Sequence, residues 1–226
     1  MRRKNGNGTR PSAPGWAGRR VLEVAHRLNE ECIAALARAA ASEQPQADFN
    51  PVAGLSNLWR RLDGAGISRA SRSPVLLVDL NFSRADWWCP VAQGLVPSSS
   101  RVGAGSVFPI EIARDLLREV LIETWSAARS VTRAVSLVFG LTPAVCEAIA
   151  SLKVSAIDRI VLEHAHLLRP RWAENLEFWR RLLEASIAAD EEVLAELHRY
   201  CLQLLGGDLI ALHHEGSGPY DRAGSL

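Results

Sequence analysis

The chain has 226 residues, 48% of them apolar, and a formal net charge of +1. That length fits one domain of ordinary size, or a smaller domain with a long extension. Near-neutral charge excludes an overtly basic nucleic-acid binder, and Cys32, Cys89, Cys146 and Cys201 stand far apart with no CxxC pair, which excludes a zinc ribbon or thioredoxin-type motif.

No run approaches the roughly 20 apolar residues of a membrane span, and the charged N-terminus has no apolar segment behind it. The expectation is a soluble, cytoplasmic protein without a cofactor. Charge is unevenly spread. Residues 1–20 carry Arg2, Arg3, Lys4, Arg10, Arg19 and Arg20 and no acid. This predicts a disordered basic arm over 1–18, because Gly, Asn, Pro, Ser and Arg bury too little apolar surface to fold.

Residues 19–42 place Val21, Val24, Leu28, Cys32, Ala35 and Leu36 at helical spacing, which predicts a helix. LSNLWRRLDGAGI reads as a short helix stopped by Gly64 and Gly66, and SRASRSP as a linker. Pro74–Phe82 is a short apolar run, either a strand or a buried extended segment. Residues 90–107 read as a Pro/Gly/Ser-rich loop. From 109 to 139 a long apolar periodicity predicts a helix that includes Ile112, Leu116, Val120, Ala128 and Val135.

Val138–His166 reads as a helical hairpin. Thr142 is placed to cap the first helix, with Pro143 at its first position. Ser155 and Asp158 have capping-box spacing for the second. Val145, Ile149 and Leu152, then Ile157, Ile160, Val161 and His164, form the inner faces. Two more helices are predicted: 170–186, opened by Pro170 with Trp172, Leu176, Trp179, Leu182 and Leu183 inward, and 190–205, stopped by Gly206-Gly207. The fold class is therefore all-α with at most one short strand. The chain divides into the arm 1–18, a helical and loop extension 19–108, a helical domain 109–207 and a disordered tail 208–226. No internal repeat is evident.

Few residues suggest catalysis. His164 and His166 have i, i+2 spacing, unsuited to a metal on one helix face, and His213-His214-Glu215 lies in the tail. Asp79 and Asp86, near Trp87-Trp88, form a possible acid/base pair, but no nucleophile or phosphate loop accompanies them. Trp87 and Trp88 read more naturally as anchors to a core or a partner, and the apolar stripe of 109–139, with Leu116, Val120 and Trp125, exceeds what one hairpin can cover and predicts a helix-mediated oligomer. Helix, short turn, helix is also the geometry that places a second helix in a DNA groove. The candidate DNA-contacting residues are Arg2, Arg3, Lys4 and Arg10 in the arm and Lys153, Arg159, His166, Arg169 and Arg171 in and after the hairpin. Arg180 and Arg181 are accompanied by Glu174, Glu177 and Glu184, which suggests a solvated, ion-paired face.

The segment from Leu117 to Gly207 resembles FlhD, the helical subunit of the bacterial flagellar master activator. Phe139, Gly140, Leu141 and Thr142 match the turn that follows the family's long helix. Ile149-Ala150-Ser151-Leu152 matches its A-x-L turn, and Ile157, Arg159 and Ile160 its amphipathic helix with a basic residue. Pro170-Arg171-Trp172 matches an aromatic-Arg-aromatic element with one aromatic lost, and Leu197–Leu205 the closing leucine-rich helix. No cysteine lies near Leu168, so the family's covalent subunit link is not expected. The chain is about twice the usual family length, and residues 1–108 have no counterpart.

The resemblance implies a dimerising all-α subunit that joins a zinc-bearing FlhC-like partner and activates transcription, as in regulators carried on integrative and conjugative elements. The function expected is that of a DNA-binding activator subunit in a hetero-oligomer, not an enzyme. The alternative is a protein-interaction adaptor without DNA contact, and the third reading is an enzyme using Asp79 and Asp86.

Overall fold

The computed structural model describes residues 14–41, 51–95 and 107–215. The fold is all-α, with one two-stranded ribbon of two residues each. Helix α1 spans Pro14–Ala41. It starts before residue 19 because Pro14 occupies a first-turn position, where a missing N–H costs nothing. Residues 14–18 thus belong to the helix rather than to an arm. Arg2, Arg3, Lys4 and Arg10 lie outside the described residues.

A short helix α2 (Pro51–Gly54) leads into a hairpin of α3 (Ser56–Arg61) and α4 (Gly64–Ser71). Here the structure corrects the reading of Gly64 and Gly66 as a stop. The chain turns at Leu62, and Asp63 caps α4 by accepting the Gly66 N–H at 2.7 Å. Gly66 is needed for fit, since a Cβ there would lie 2.8 Å from the Leu62 side chain. Most of the expected linker is therefore helical. Val75–Leu80 is a buried extended segment that includes β1 (Val78–Asp79), and its Leu77 O accepts the Arg171 N–H at 2.7 Å. Helix α5 (Ala85–Ala92) follows and carries Trp87 and Trp88.

Helix α6 (Ile110–Phe139) is bent at Val131 (φ −142°, ψ 49°) and ends at Gly140, whose φ of 66° is the left-handed cap that glycine adopts freely. Helices α7 (Pro143–Ala150) and α8 (Val154–His164) form the expected hairpin, with Thr142 capping the Val145 N–H. The Ser155 capping box is not formed. Lys153 is the cap residue of α8, and Asp158 turns instead to Arg118 of α6 at 3.4 Å. A 3-10 turn (Ala165–Leu167) leads to β2 (Arg169–Pro170). Pro170 thus lies in a strand, and α9 begins later (Leu176–Ala188), capped by Asn175. Leu176 consequently points to solvent rather than to the core. Helix α10 (Glu191–Glu215) runs through Gly206 and Gly207, which do not stop it.

The structure also reveals a repeat that the sequence hides. Residues 14–95 and 107–188 each run long helix, helical hairpin, extended segment, helix. Val78 pairs with Pro170 and Asp79 with Arg169, antiparallel, as a two-fold axis between the strands requires. Just beyond the strands, Asn81 and Trp172 both have positive φ, 52° and 53°. Arg84 N–H bonds Asn81 O at 2.8 Å, and Asn175 N–H bonds Trp172 O at 2.9 Å. Trp88 donates its indole N–H to Leu80 O, and Trp179 to Arg171 O, both at 3.1 Å. Trp87–Trp88 and Phe178–Trp179 are both edge-to-face pairs. The same sequence spacing separates the members of every pair.

The halves are interlocked. Helix α1 packs along α6, α5 of the first half packs on α7 of the second, and α9 of the second packs on α3 and α4 of the first. One continuous buried cluster contains residues of both. The boundary expected near residue 108 therefore separates two repeats, not two independent domains. The apolar stripe of α6, expected to need a second chain, is covered by α1 of the same chain.

Candidate nucleic-acid and partner surfaces

Thr142 and Gly140 fix the path of the chain into α7, and Arg171 locks it from below. Its guanidinium, 6% exposed, donates to Phe139 O at 2.8 Å and lies 3.9 Å from Asp79. A cation at the C-terminal end of α6 meets the partial negative charge of the unsatisfied carbonyls. A Cβ at Gly140 would overlap this guanidinium. Arg171 is therefore a buried structural cation and has no path to DNA. Burial pulls its pKa down, opposed by the Asp79 and Asp208 carboxylates.

Asp79 is the centre of this arrangement. It accepts from Arg169 at 2.9 Å and from the Phe82 N–H at 3.1 Å. Burial alone would raise its pKa, but Arg171, Arg169 and these hydrogen bonds outweigh it and hold the carboxyl below its ordinary value. A carboxylate so held is a poor proton carrier at neutral pH. Asp86 is exposed and paired with Arg84. The two acids sit in separate ion pairs, which removes the geometric basis for an Asp79/Asp86 acid/base pair. Arg169, 58% exposed, is likewise engaged by Asp79.

Arg159, expected to contact DNA from the edge of the exposed face of the second hairpin helix, turns inward. It is half-buried, donates to Val91 O in the last turn of α5 at 3.1 Å, and lies so close to Gly94 that a Cβ there would be 2.7 Å from its Nη1. The first half repeats the device. Arg69 of α4 donates to Ser186 O in the last turn of α9 at 2.7 Å. In each half an arginine of the second hairpin helix ties down the helix that follows the other half's strand.

Of the hairpin residues expected to contact DNA, Lys153 and His166 remain exposed. Around Lys153 the outward face of the second hairpin is apolar and acidic. Val154 and Leu162 are 62% and 61% exposed, flanked by Glu147, Asp158 and Glu163. His164 packs edge-on against Trp87, and burial, ahead of its charged neighbours, lowers its pKa.

The residues expected at an oligomer or partner interface are also relocated. Leu116, Val120, Trp87 and Trp88 are buried in the chain's own core. Trp125 is half-buried, donating to Leu152 O at 2.9 Å beneath the Arg129 guanidinium. Cys146 and Cys201 are buried, as their helical spacing suggested; burial pushes the Cys201 thiol up to about 11.

Sequence reasoning passed over Arg60, Arg61 and Arg72. All three are exposed on the first hairpin, and none makes an ion pair among the described residues. The signal was present in the pattern WRRLD…ASR, but reading the glycines as a stop hid the hairpin that displays it. Among the described residues no helix is long and apolar enough to cross a membrane. No family model, curated protein or solved structure matches the chain.

Proposed function

We propose that the chain is a subunit of a DNA-associated transcriptional activator that works in a hetero-oligomer, with a base-reading, FlhC-like zinc-binding partner. The observation that carries this reading is the pair of helical hairpins, α3–α4 and α7–α8, related by an approximate two-fold axis. Proteins that use such hairpins on DNA commonly act as symmetric dimers, so that two hairpins meet two half-sites. The present chain carries both hairpins covalently. This accounts for a length about twice that of the family that residues 117–207 resemble, and it supplies the dimeric unit without a second copy.

Arg159 and Arg171 are committed to internal carbonyls, so base reading falls to the partner. That commitment also favours the second reading, an adaptor that joins proteins and never touches DNA. Co-purification from the native host, followed by a mobility-shift assay with and without the captured partner, tests the proposal. The activator reading expects a sequence-specific shift by the complex. Co-purification with a partner, but no shift at any salt concentration, would favour the adaptor.

A further inference from the structure

We infer that the first hairpin, α3–α4, is a phosphate-contacting surface for nucleic acid, through Arg60, Arg61 and Arg72. This rests on the activator reading and deepens it by moving the nucleic-acid contact to the half of the chain that lacks the family resemblance. The two-fold relation supplies an internal comparison. Asp63 and Lys153 are the cap residues of α4 and α8, and the inward arginines Arg69 and Arg159 follow each at the same spacing. In that register Arg60, Arg61 and Arg72 correspond to Ala150, Ser151 and Leu162. The inward arginine is present in both halves, whereas the outward ones occur only in the first.

Their setting suits phosphate. Half of the other arginines in the described fold are ion-paired, among them Arg27 with Glu31, Glu119 and Glu123, Arg118 with Asp158, Arg180 with Glu177, and Arg181 with Glu196. The acids nearest in sequence are engaged elsewhere: Asp63 accepts the Gly66 N–H as the cap of α4, and Asp79 is bound to Arg169. Between the arginines lie the exposed Asp63, Gly64 and Ala65 and the half-buried Ile67 and Ser68, so over most of this stretch small side chains leave the backbone open to a phosphate chain. In the second hairpin the same stretch carries Lys153, Val154, Ser155 and Asp158, which adds bulk and places the acid within the helix instead of at its cap. Ten residues lie between Arg61 and Arg72, and the eight of them in α4 span about 12 Å at about 1.5 Å per helical residue, comparable with a major groove about 12 Å wide. Arg72 also lies within electrostatic reach of His26 of α1, where the acid Glu23 opposes it.

The test is fluorescence anisotropy of the full chain with a 25-bp DNA duplex of arbitrary sequence, across about 50–200 mM salt. The substitutions Arg60→Ala, Arg61→Ala and Arg72→Ala are combined in one variant. Arg180→Ala, Arg181→Ala and Arg199→Ala, with the same change in net charge, are combined in a second. The inference expects the first variant to retain the wild-type circular-dichroism spectrum, bind at least tenfold more weakly at low salt, and lose about 2–3 units of salt slope, at about 0.9 per phosphate. The second variant should keep the wild-type slope. Equal losses in both variants would mean that only net charge matters, and unchanged binding in the first would mean that these arginines face another partner, such as an acidic protein. Either result overturns the inference. If the chain alone shows no salt-dependent binding but its partner complex shifts DNA, the inference fails and the activator reading stands.

Discussion

The two halves of this chain share a backbone plan and differ in what they show to solvent. Each presents a hairpin braced by a long helix, an extended segment that pairs with its mate, a residue at positive φ, and a tryptophan whose indole closes back on the chain. Outside that frame they diverge. The first hairpin displays unpaired arginines over small residues, and the second displays valine, leucine and acids. The first extended segment is fixed by Asn29, which donates to Ser71 O and Val75 O and accepts from the Leu77 N–H. The second is fixed by the Asp79–Arg171 charge pair. The comparison separates residues that keep the two halves paired from residues free to specialise. Only the second group can carry a difference in function.

The strongest way to break the comparison is at the tryptophans. Trp88→Ala and Trp179→Ala each remove a buried indole and its bond to a carbonyl, and each should cost about 3–5 kcal/mol in urea denaturation. A large loss from one and a negligible loss from the other would show that the halves are not mechanically equivalent.

Asp79→Asn probes the point where they differ. It leaves Arg171 buried beside a neutral amide, and removing one member of a buried ion pair typically costs about 3–5 kcal/mol. The pH dependence has a definite sign. The folded-state pKa of Asp79 lies below its ordinary value. Its contribution is therefore complete above the unfolded carboxyl range, about pH 4, and is lost as pH falls through the lower folded value. Asp79→Asn should flatten that acid limb. An acid limb identical to wild type would place the stabilisation elsewhere.

A smaller effect sharpens the equivalence again. Arg69→Leu and Arg159→Leu each remove a charged hydrogen bond to a carbonyl in the last turn of the opposing helix, and each should lower stability by about 1–2 kcal/mol. The position expected from sequence, at the edge of the exposed face, would have made Arg159 substitutions nearly silent. A thermal midpoint unchanged in Arg159→Leu would restore that expectation.

Where periodicity and capping acted locally, the fold was legible. The long helix α6, the Thr142 cap and the inner faces of α7 and α8 follow directly from apolar spacing and side-chain chemistry. Three boundaries were not legible because a neighbouring residue outvoted a local rule. Asp63 turned two glycines from a stop into a start. Strand pairing placed Pro170 in a ribbon, and α10 continues through Gly206-Gly207 to Asp208, which accepts the Trp172 indole N–H. The repeat was hidden because its evidence is geometric: Asn81 and Trp172, or Leu80 and Arg171, occupy equivalent places with unrelated side chains. The site residues were misjudged for a related reason. Charge marks a residue as soluble in sequence, but a guanidinium on a long stem can reach a helix-end carbonyl, as Arg159 and Arg171 do.

The most direct test of the account cuts the chain between its halves. A specific protease site is placed within residues 96–106 of the full-length protein, the folded protein is cleaved, and the products are examined by light scattering and circular dichroism. Interlocking of α5 on α7, α9 on α3 and α4, and α1 along α6 predicts that the two fragments stay together as a 1:1 complex of unchanged helicity, the mass of the complex equalling that of one intact chain. Separation into two species, with either fragment keeping its helical spectrum alone, would contradict it and restore the independent C-terminal domain.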